Sequence, residues 1–202
     1  MRSVEIASVV EEVSRRLFVE VEASGRHVHV TKEQAQILFG HPLTHHRDLS
    51  QPGQFLARER VTVMGPKGRF EHVAVLGPER KEAQVEISLT DGRVLGIEPP
   101  IRLSGRVTDS PGVDLVGPRG RIALEQGVIA AQRHIHMTPE DAARQGVTDR
   151  QMVKLQVFSR RPVIFEDVAV RVSPEYATYA HLDYDEANGC GLEKGDLGRI
   201  LP

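Results

Sequence analysis

A passage of ten residues occurs twice in this chain with little change. Residues 26–35 read Arg-His-Val-His-Val-Thr-Lys-Glu-Gln-Ala, and residues 133–142 read Arg-His-Ile-His-Met-Thr-Pro-Glu-Asp-Ala. Side chains alternate faces along a strand, so His27 and His29 share one face, as do His134 and His136. Each pair leads into a helix start. Thr31 suits an N-cap for a helix running to about Phe39 with Gly40 as its stop, and Thr138, with Pro139 at the first helical position and Gly146 beyond, repeats the arrangement. Two imidazoles beside a helix N-terminus would favour an anion near them, or near a metal that they bind. The repetition predicts two halves of similar plan, each organised around one His-X-His strand.

Around these passages the pattern is mostly β. Short runs at 61–64, 70–76, 84–89, 94–97, 100–103, 113–116 and 120–124 alternate with Gly, Pro and Asp turns, as in a barrel or sandwich. Residues 152–158, 162–172 and 178–184 continue in the same way, Gly189 to Gly198 reads as turns, and a last strand is expected at Arg199 to Leu201. Ile6, Val9, Val10, Val13 and Leu17 recur at helical spacing, which predicts a short amphipathic helix over residues 4–17. Residues 41–56 contain Pro-Gly and show no period, so a loop is expected. At 202 residues and 40% hydrophobic content, the chain can bury the cores of two small domains.

A second echo supplies a ruler. Phe70-Glu71-His72-Val73-Ala74-Val75 returns as Phe165-Glu166-Asp167-Val168-Ala169-Val170, and Pro78-Glu79 as Pro174-Glu175 with a slip of one residue. Sixteen residues beyond Phe70 stands Glu86, and sixteen beyond Phe165 stands His181. Each half therefore offers three candidate ligands: His27, His29 and Glu86 in one, His134, His136 and His181 in the other. Three protein ligands with an open position suit catalytic zinc, whereas structural zinc favours four ligands and Cys. His41, His45, His46 and His72 are expected in solvent or in local hydrogen bonds. His27-Val28-His29 with Glu33 also matches the spacing of a cupin motif, as does Glu140 in the second half. Thr31, Thr138 and Pro139 instead place those glutamates in a first helical turn, where the dipole favours a carboxylate. Arg80 lies six residues before Glu86 and can hold a phosphate or carboxylate bidentately; its alternative is a turn arginine paired with Glu79 or Glu82.

Composition removes other classes. A net charge of −2 without a basic run gives no electrostatic footprint for nucleic acid or an anionic membrane. No stretch approaches the roughly 18–20 apolar residues of a membrane span, and no secretory signal pattern is expected at the start. The lone Cys190 excludes an intrachain disulfide framework and fits a reducing compartment. With glycines on both sides and no basic neighbour, it has no visible means of activation as a nucleophile.

Arg26-His27-Val28-His29, Asp48-Leu49-Ser50-Gln51-Pro52-Gly53-Gln54-Phe55, Leu76-Gly77-Pro78-Glu79-Arg80-Lys81, Gln84-Val85-Glu86-Ile87-Ser88, Arg133-His134-Ile135-His136 and His181-Leu182-Asp183 together resemble the PduL-type phosphate acyltransferases, in order from about Ser24 to Pro202. The resemblance implies a mainly β fold of two β-barrel domains capped by short α-helices and related by internal duplication. Residues 26–131 would form the central barrel and residues 18–25 plus 132–202 the second, after an N-terminal helix over 1–17. It further implies two zinc ions in a cleft between the barrels and the reaction of acyl-CoA with phosphate to give acyl phosphate and CoA, with propanoyl-CoA or acetyl-CoA as substrate. Carried onto this chain, His27, His29 and Glu86 would hold the zinc that meets the CoA sulfur. His134, His136 and His181 would hold the second zinc, which keeps waters. Arg80 would bind phosphate, and Ser24, Leu76 and Asn188 fall where the family contacts CoA. Ala74 stands where the family often carries Arg. Direct attack by phosphate, without an acyl-enzyme, is expected. The expected assembly is a homodimer in the cytoplasm or inside a bacterial microcompartment, whose shell is a further candidate partner for the N-terminal helix. A metal-dependent acyl-CoA hydrolase and a cupin-like or metal-sensing binding protein are the alternatives.

Overall fold

A computed structural model describes residues 13, 14 and 16–201. Of the helix expected over 4–17, residues 13, 14, 16 and 17 are helical, and the rest lies outside the described residues. The described chain is mainly β, with fifteen strands and four helices of seven or eight residues. It divides into two compact units. A central unit holds Ser24–Gln132 with Asp183–Asp185, and a terminal unit holds the described residues before Ser24, Arg133–Leu182 and those from Glu186 on.

In the terminal unit β1 (Val19–Ser24), β11 (His134–Met137), β12 (Met152–Phe158), β13 (Val163–Val172), β14 (Tyr179–Asp183) and β15 (Leu197–Leu201) close into a barrel in the order β1-β14-β11-β13-β12-β15. Its core includes Val21, Ile135, Met137, Leu155, Val168, Val170 and Leu182. The central unit is a nine-stranded sheet that runs β7-β10-β6-β2-β5-β4-β8-β9, with β3 paired to β4. Its strands are β2 (His27–His29), β3 (His45–Asp48), β4 (Phe55–Met64), β5 (Arg69–Gly77), β6 (Gln84–Ile87), β7 (Ile101–Arg102), β8 (Asp114–Val116), β9 (Arg121–Ala123) and β10 (Val128–Ala131). This sheet stays open where the sequence suggested a second barrel. Pro99 and Pro100 lead into its two-residue end strand, and proline has no N–H to offer a further partner.

Both helix starts read from the repeat form as expected. Thr31 caps Lys32–Phe39 in a capping box with Gln34, and Gly40 ends it at φ 82°. Thr138 caps Pro139–Gln145, and Gly146 ends it at φ 69°. Three local readings change. Residues 89–95, read as the end of one strand and the start of another, form a helix capped by Ser88 and Asp91 and stopped by Gly96. Gly92 suggested a turn there, but a Cβ at that position would lie 2.6 Å from Pro99 Cδ, so its smallness serves close packing. Tyr184–Cys190, read as the end of a strand and the start of turns, is also a helix, and β15 begins at Leu197. His45–Asp48, placed in the expected loop, is an exposed edge strand on β4.

The Phe-Glu-X-Val-Ala-Val echo is a β-bulge in both units. Val61 pairs with Val73 and Val63 with Phe70, so Glu71 and His72 together face Thr62. Val153 pairs with Val168 and Leu155 with Phe165, so Glu166 and Asp167 together face Lys154. The extra residues take left-handed backbone, His72 at φ 55° and Asp167 at φ 52°. His and Asp are among the side chains that tolerate that region best.

Candidate metal and phosphate site

In the central unit β2 runs between β5, parallel to it, and β6, antiparallel to it. Val28 stands beside Val75 and Val85 in the register and is fully buried in the core. The pleat therefore turns His27 and His29 to the opposite face. His27 pairs directly with Glu86, which places the carboxylate on that same face. One ligand atom from each of His27, His29 and Glu86 lies within 4.8 Å of the others, and all three residues are buried. A carbonyl oxygen can only accept, so the bonds from His27 Nδ1 to Gly25 O (2.8 Å) and from His29 Nδ1 to Leu76 O (3.2 Å) put the ring proton on Nδ1. Nε2 of each ring is then the lone-pair donor, and His27 Nε2 stands 3.6 Å from Glu86 Oε2. Burial opposes charge on His27, but Glu86 and the Gly25 carbonyl together raise its pKa. Burial, with the nearby charges of His27 and Arg80, holds His29 well below the usual range.

The terminal unit repeats the layout. Ile135 is buried in the core, His134 pairs directly with His181 across β11 and β14, and His134, His136 and His181 converge within the same 4.8 Å limit. Their ring centroids form a triangle with sides of 4.6, 5.1 and 5.1 Å. His136 Nδ1 and His181 Nε2 are buried atoms that make no hydrogen bond. Glu22 Oε2 lies 3.9 Å from His181 Nδ1, and the Tyr176 ring lies 4.2 Å from that of His136.

Arg80 lies in the loop between β5 and β6 and is tied to the first triad through two residues that sequence reasoning missed. Its Nη1 donates to Ser104 Oγ at 3.1 Å. Gln84 Nε2 donates both to Ser104 Oγ at 2.7 Å and to Glu86 Oε1 at 2.5 Å, while Gln84 Oε1 accepts from Gly105 N. Gln84 was detectable, because stepping back two residues from Glu86 stays on the ligand face. Ser104 carried no such signal, since it sits in a turn without period. Glu79, a candidate partner for Arg80, accepts from Leu43 N. Glu33 and Glu140 lie in first helical turns and belong to neither triad, unlike a cupin arrangement. Ser24 and Leu76 are half-buried in the central unit, whereas Asn188 is exposed on the Tyr184–Cys190 helix in the terminal unit. His41, His45, His46 and His72 are exposed.

Comparison with known proteins adds a second line. The family model described as phosphate propanoyltransferase matches residues 20–193. The phosphate propanoyltransferase of Enterococcus faecalis is 54% identical over 201 residues, covering 96% of this chain and 95% of that protein. That of Listeria monocytogenes is 52% identical over 202 residues, covering 97% and 95%. That of Thermotoga maritima is 50% identical over 184 residues, covering 90% and 88%. With a family model spanning most of its length and relatives this similar from end to end, the chain belongs to the phosphate propanoyltransferase family.

Proposed function

We propose that this chain interconverts acyl-CoA and phosphate with acyl phosphate and CoA, using two zinc ions, one in each triad, and propanoyl-CoA or acetyl-CoA as substrate. The observation that carries the reading is the contact chain Glu86–Gln84–Ser104–Arg80, which couples an anion-binding guanidinium to a triad able to take a metal. The donors fit zinc. Ligand bonds of about 2.0–2.2 Å reach three atoms this close after small side-chain shifts, and two His with one Glu, or three His, leave a coordination position open. The Nδ1–H bonds of His27 and His29 fix the tautomer that a metal needs. When bound, zinc supplies a Lewis acid that polarises a carbonyl or offsets the charge of an anion.

The chain's own residues do the rest. Arg80 holds and orients phosphate, which in water is a heavily hydrated and poorly placed nucleophile. A phosphate oxygen bonds to the thioester carbon, the carbon–sulfur bond breaks, and the proton of hydrogen phosphate ends on the CoA thiol. No acyl-enzyme is needed. Cys190 is fully buried, and burial pushes its thiol pKa up, away from the thiolate that nucleophilic attack requires. Ser24, Leu76 and Asn188 are assigned to CoA. The reading extends to a homodimer in the cytoplasm or a microcompartment lumen, which co-sedimentation with shells before and after deletion of residues 1–17 distinguishes.

The test is CoA release from propanoyl-CoA and acetyl-CoA, with and without phosphate and with and without a chelator. Release that requires both phosphate and metal is expected. Equal release without phosphate would identify a hydrolase, and acyl-phosphate/phosphate exchange in the absence of CoA would establish an acyl-enzyme.

A further inference from the structure

Each His-X-His strand is preceded by an arginine that the reaction above does not use. Arg26 Nε and Nη2 bond Asp91 Oδ2 and Oδ1 at 3.0 and 2.7 Å, and its guanidinium lies 4.1 Å from the centre of the Phe70 ring. Arg133 Nη1 bonds Glu186 Oε1 at 2.8 Å, Arg133 Nε bonds Glu166 O at 2.6 Å, and the guanidinium lies 5.7 Å from the centre of the Phe165 ring. The correspondence is positional. Asp91 follows Glu86 by five residues and is the third residue of its helix, and Glu186 follows His181 by five residues and is the third residue of its own. Phe70 and Phe165 open the two bulges.

We propose that Arg26 and Arg133 are positioning residues of the same kind, each clamping a histidine pair to the segment that carries its third ligand. The inference rests on the metal reading above. Between Arg26 and Asp91 the chain makes three connections: the ion pair, the direct pairing of His27 with Glu86, and the short run from Glu86 into the helix. These close a small loop in which His27 cannot move along β2 without stretching a bidentate bond. The Phe70 ring lies over the guanidinium carbon, and a forked carboxylate contact backed by an aromatic ring is one that lysine cannot reproduce. In the terminal unit the guanidinium bonds both the Glu186 carboxylate and the Glu166 carbonyl, and the ring is more distant.

The test titrates cobalt(II) into metal-free protein and reads both stoichiometry and the visible spectrum. A His136→Ala background isolates the central triad, and a His29→Ala background isolates the terminal one. Arg26→Met is expected to weaken the central triad about 10-fold or more and to alter its cobalt spectrum, with Arg26→Lys recovering only part of the affinity. Arg133→Met is expected to do the same to the terminal triad alone. Asp91→Asn, which keeps the shape and the helix cap, repeats the measurement should Arg26→Met fail to fold. Wild-type protein that takes up no cobalt would defeat the metal reading itself. Two bound cobalt ions in wild type, with unchanged affinity and spectrum in Arg26→Met or Asp91→Asn, would overturn the clamp, as would equal loss at both triads in step with melting temperature.

Discussion

The two triads share a backbone layout and differ at two corners. In each, a His-X-His strand lies parallel to a bulged strand and antiparallel to the strand bearing the third ligand, with that ligand opposite the first histidine. The third ligand is Glu86 in one and His181 in the other. Opposite the second histidine stands Gln84 in one and Tyr179 in the other. The difference extends to the following loop, where aligning Pro78-Glu79 with Pro174-Glu175 sets Arg80 against Tyr176, the ring that lies over His136. One backbone plan thus carries a triad with a carboxylate, braced by an amide and with an arginine beside it, and an all-histidine triad with an aromatic neighbour. Strand pairing decides where ligands meet, while the residues at these corners decide what the meeting place can bind.

The sharpest way to break the comparison is to make the triads alike. Glu86→His is expected to leave two metals bound, by elemental analysis, yet lower the acyl-transfer rate by roughly 10²–10³-fold, since the carboxylate's charge is lost while a ligand remains. An unchanged rate would mean that the charge difference has no catalytic role. Next in size, Arg80→Ala is expected to raise the KM for phosphate and lower kcat/KM by about 10²-fold with little change in the KM for acyl-CoA. Tyr176→Ala should leave the phosphate KM within about two-fold, because it removes no positive charge. If both substitutions act equally on phosphate, the two loops are not specialised as drawn. Gln84→Leu is expected to weaken metal at the Glu86 triad by roughly 10-fold, measured by competition with a chromophoric chelator, through loss of the amide that orients the carboxylate. The smallest effect tests the likeness of the units. His72→Gly and Asp167→Gly should each stabilise the fold by about 0.5–1 kcal/mol in urea unfolding, because glycine relieves left-handed strain at a small entropic cost. Opposite signs would show that the two bulges are not equivalent.

Much of this layout was legible because it rests on local chemistry. Thr31 and Thr138 with their glycine stops announced two helices, and alternation put each histidine pair on one face. Glu86 and His181 were reachable only by counting from the Phe-Glu-X-Val-Ala-Val echo. The counting works because each bulge resets the strand at the same point and the same number of residues follows to the ligand strand. Ser104 was illegible because its role depends on a turn brought beside Arg80 and Gln84 from twenty residues away or more. The Leu89–Leu95 helix was hidden by Gly92, whose packing against Pro99 no local pattern announces, although Ser88 and Asp91 spell a capping signal. The open end of the central sheet follows from pairing between distant segments, which composition does not reveal.

The paired bulges also bear on how this chain can vary. His72 and Asp167 are exposed and can be exchanged for other residues that accept left-handed backbone, so a survey of substitutions would score them as permissive surface positions. Deletion is absorbed as well. Removing either residue would leave Glu71 alone opposite Thr62, or Glu166 alone opposite Lys154, and plain alternation would then keep Phe70, Val73 and Val75, or Phe165, Val168 and Val170, on one face. Each bulge is thus a place where a strand can shorten by one residue without exchanging its faces.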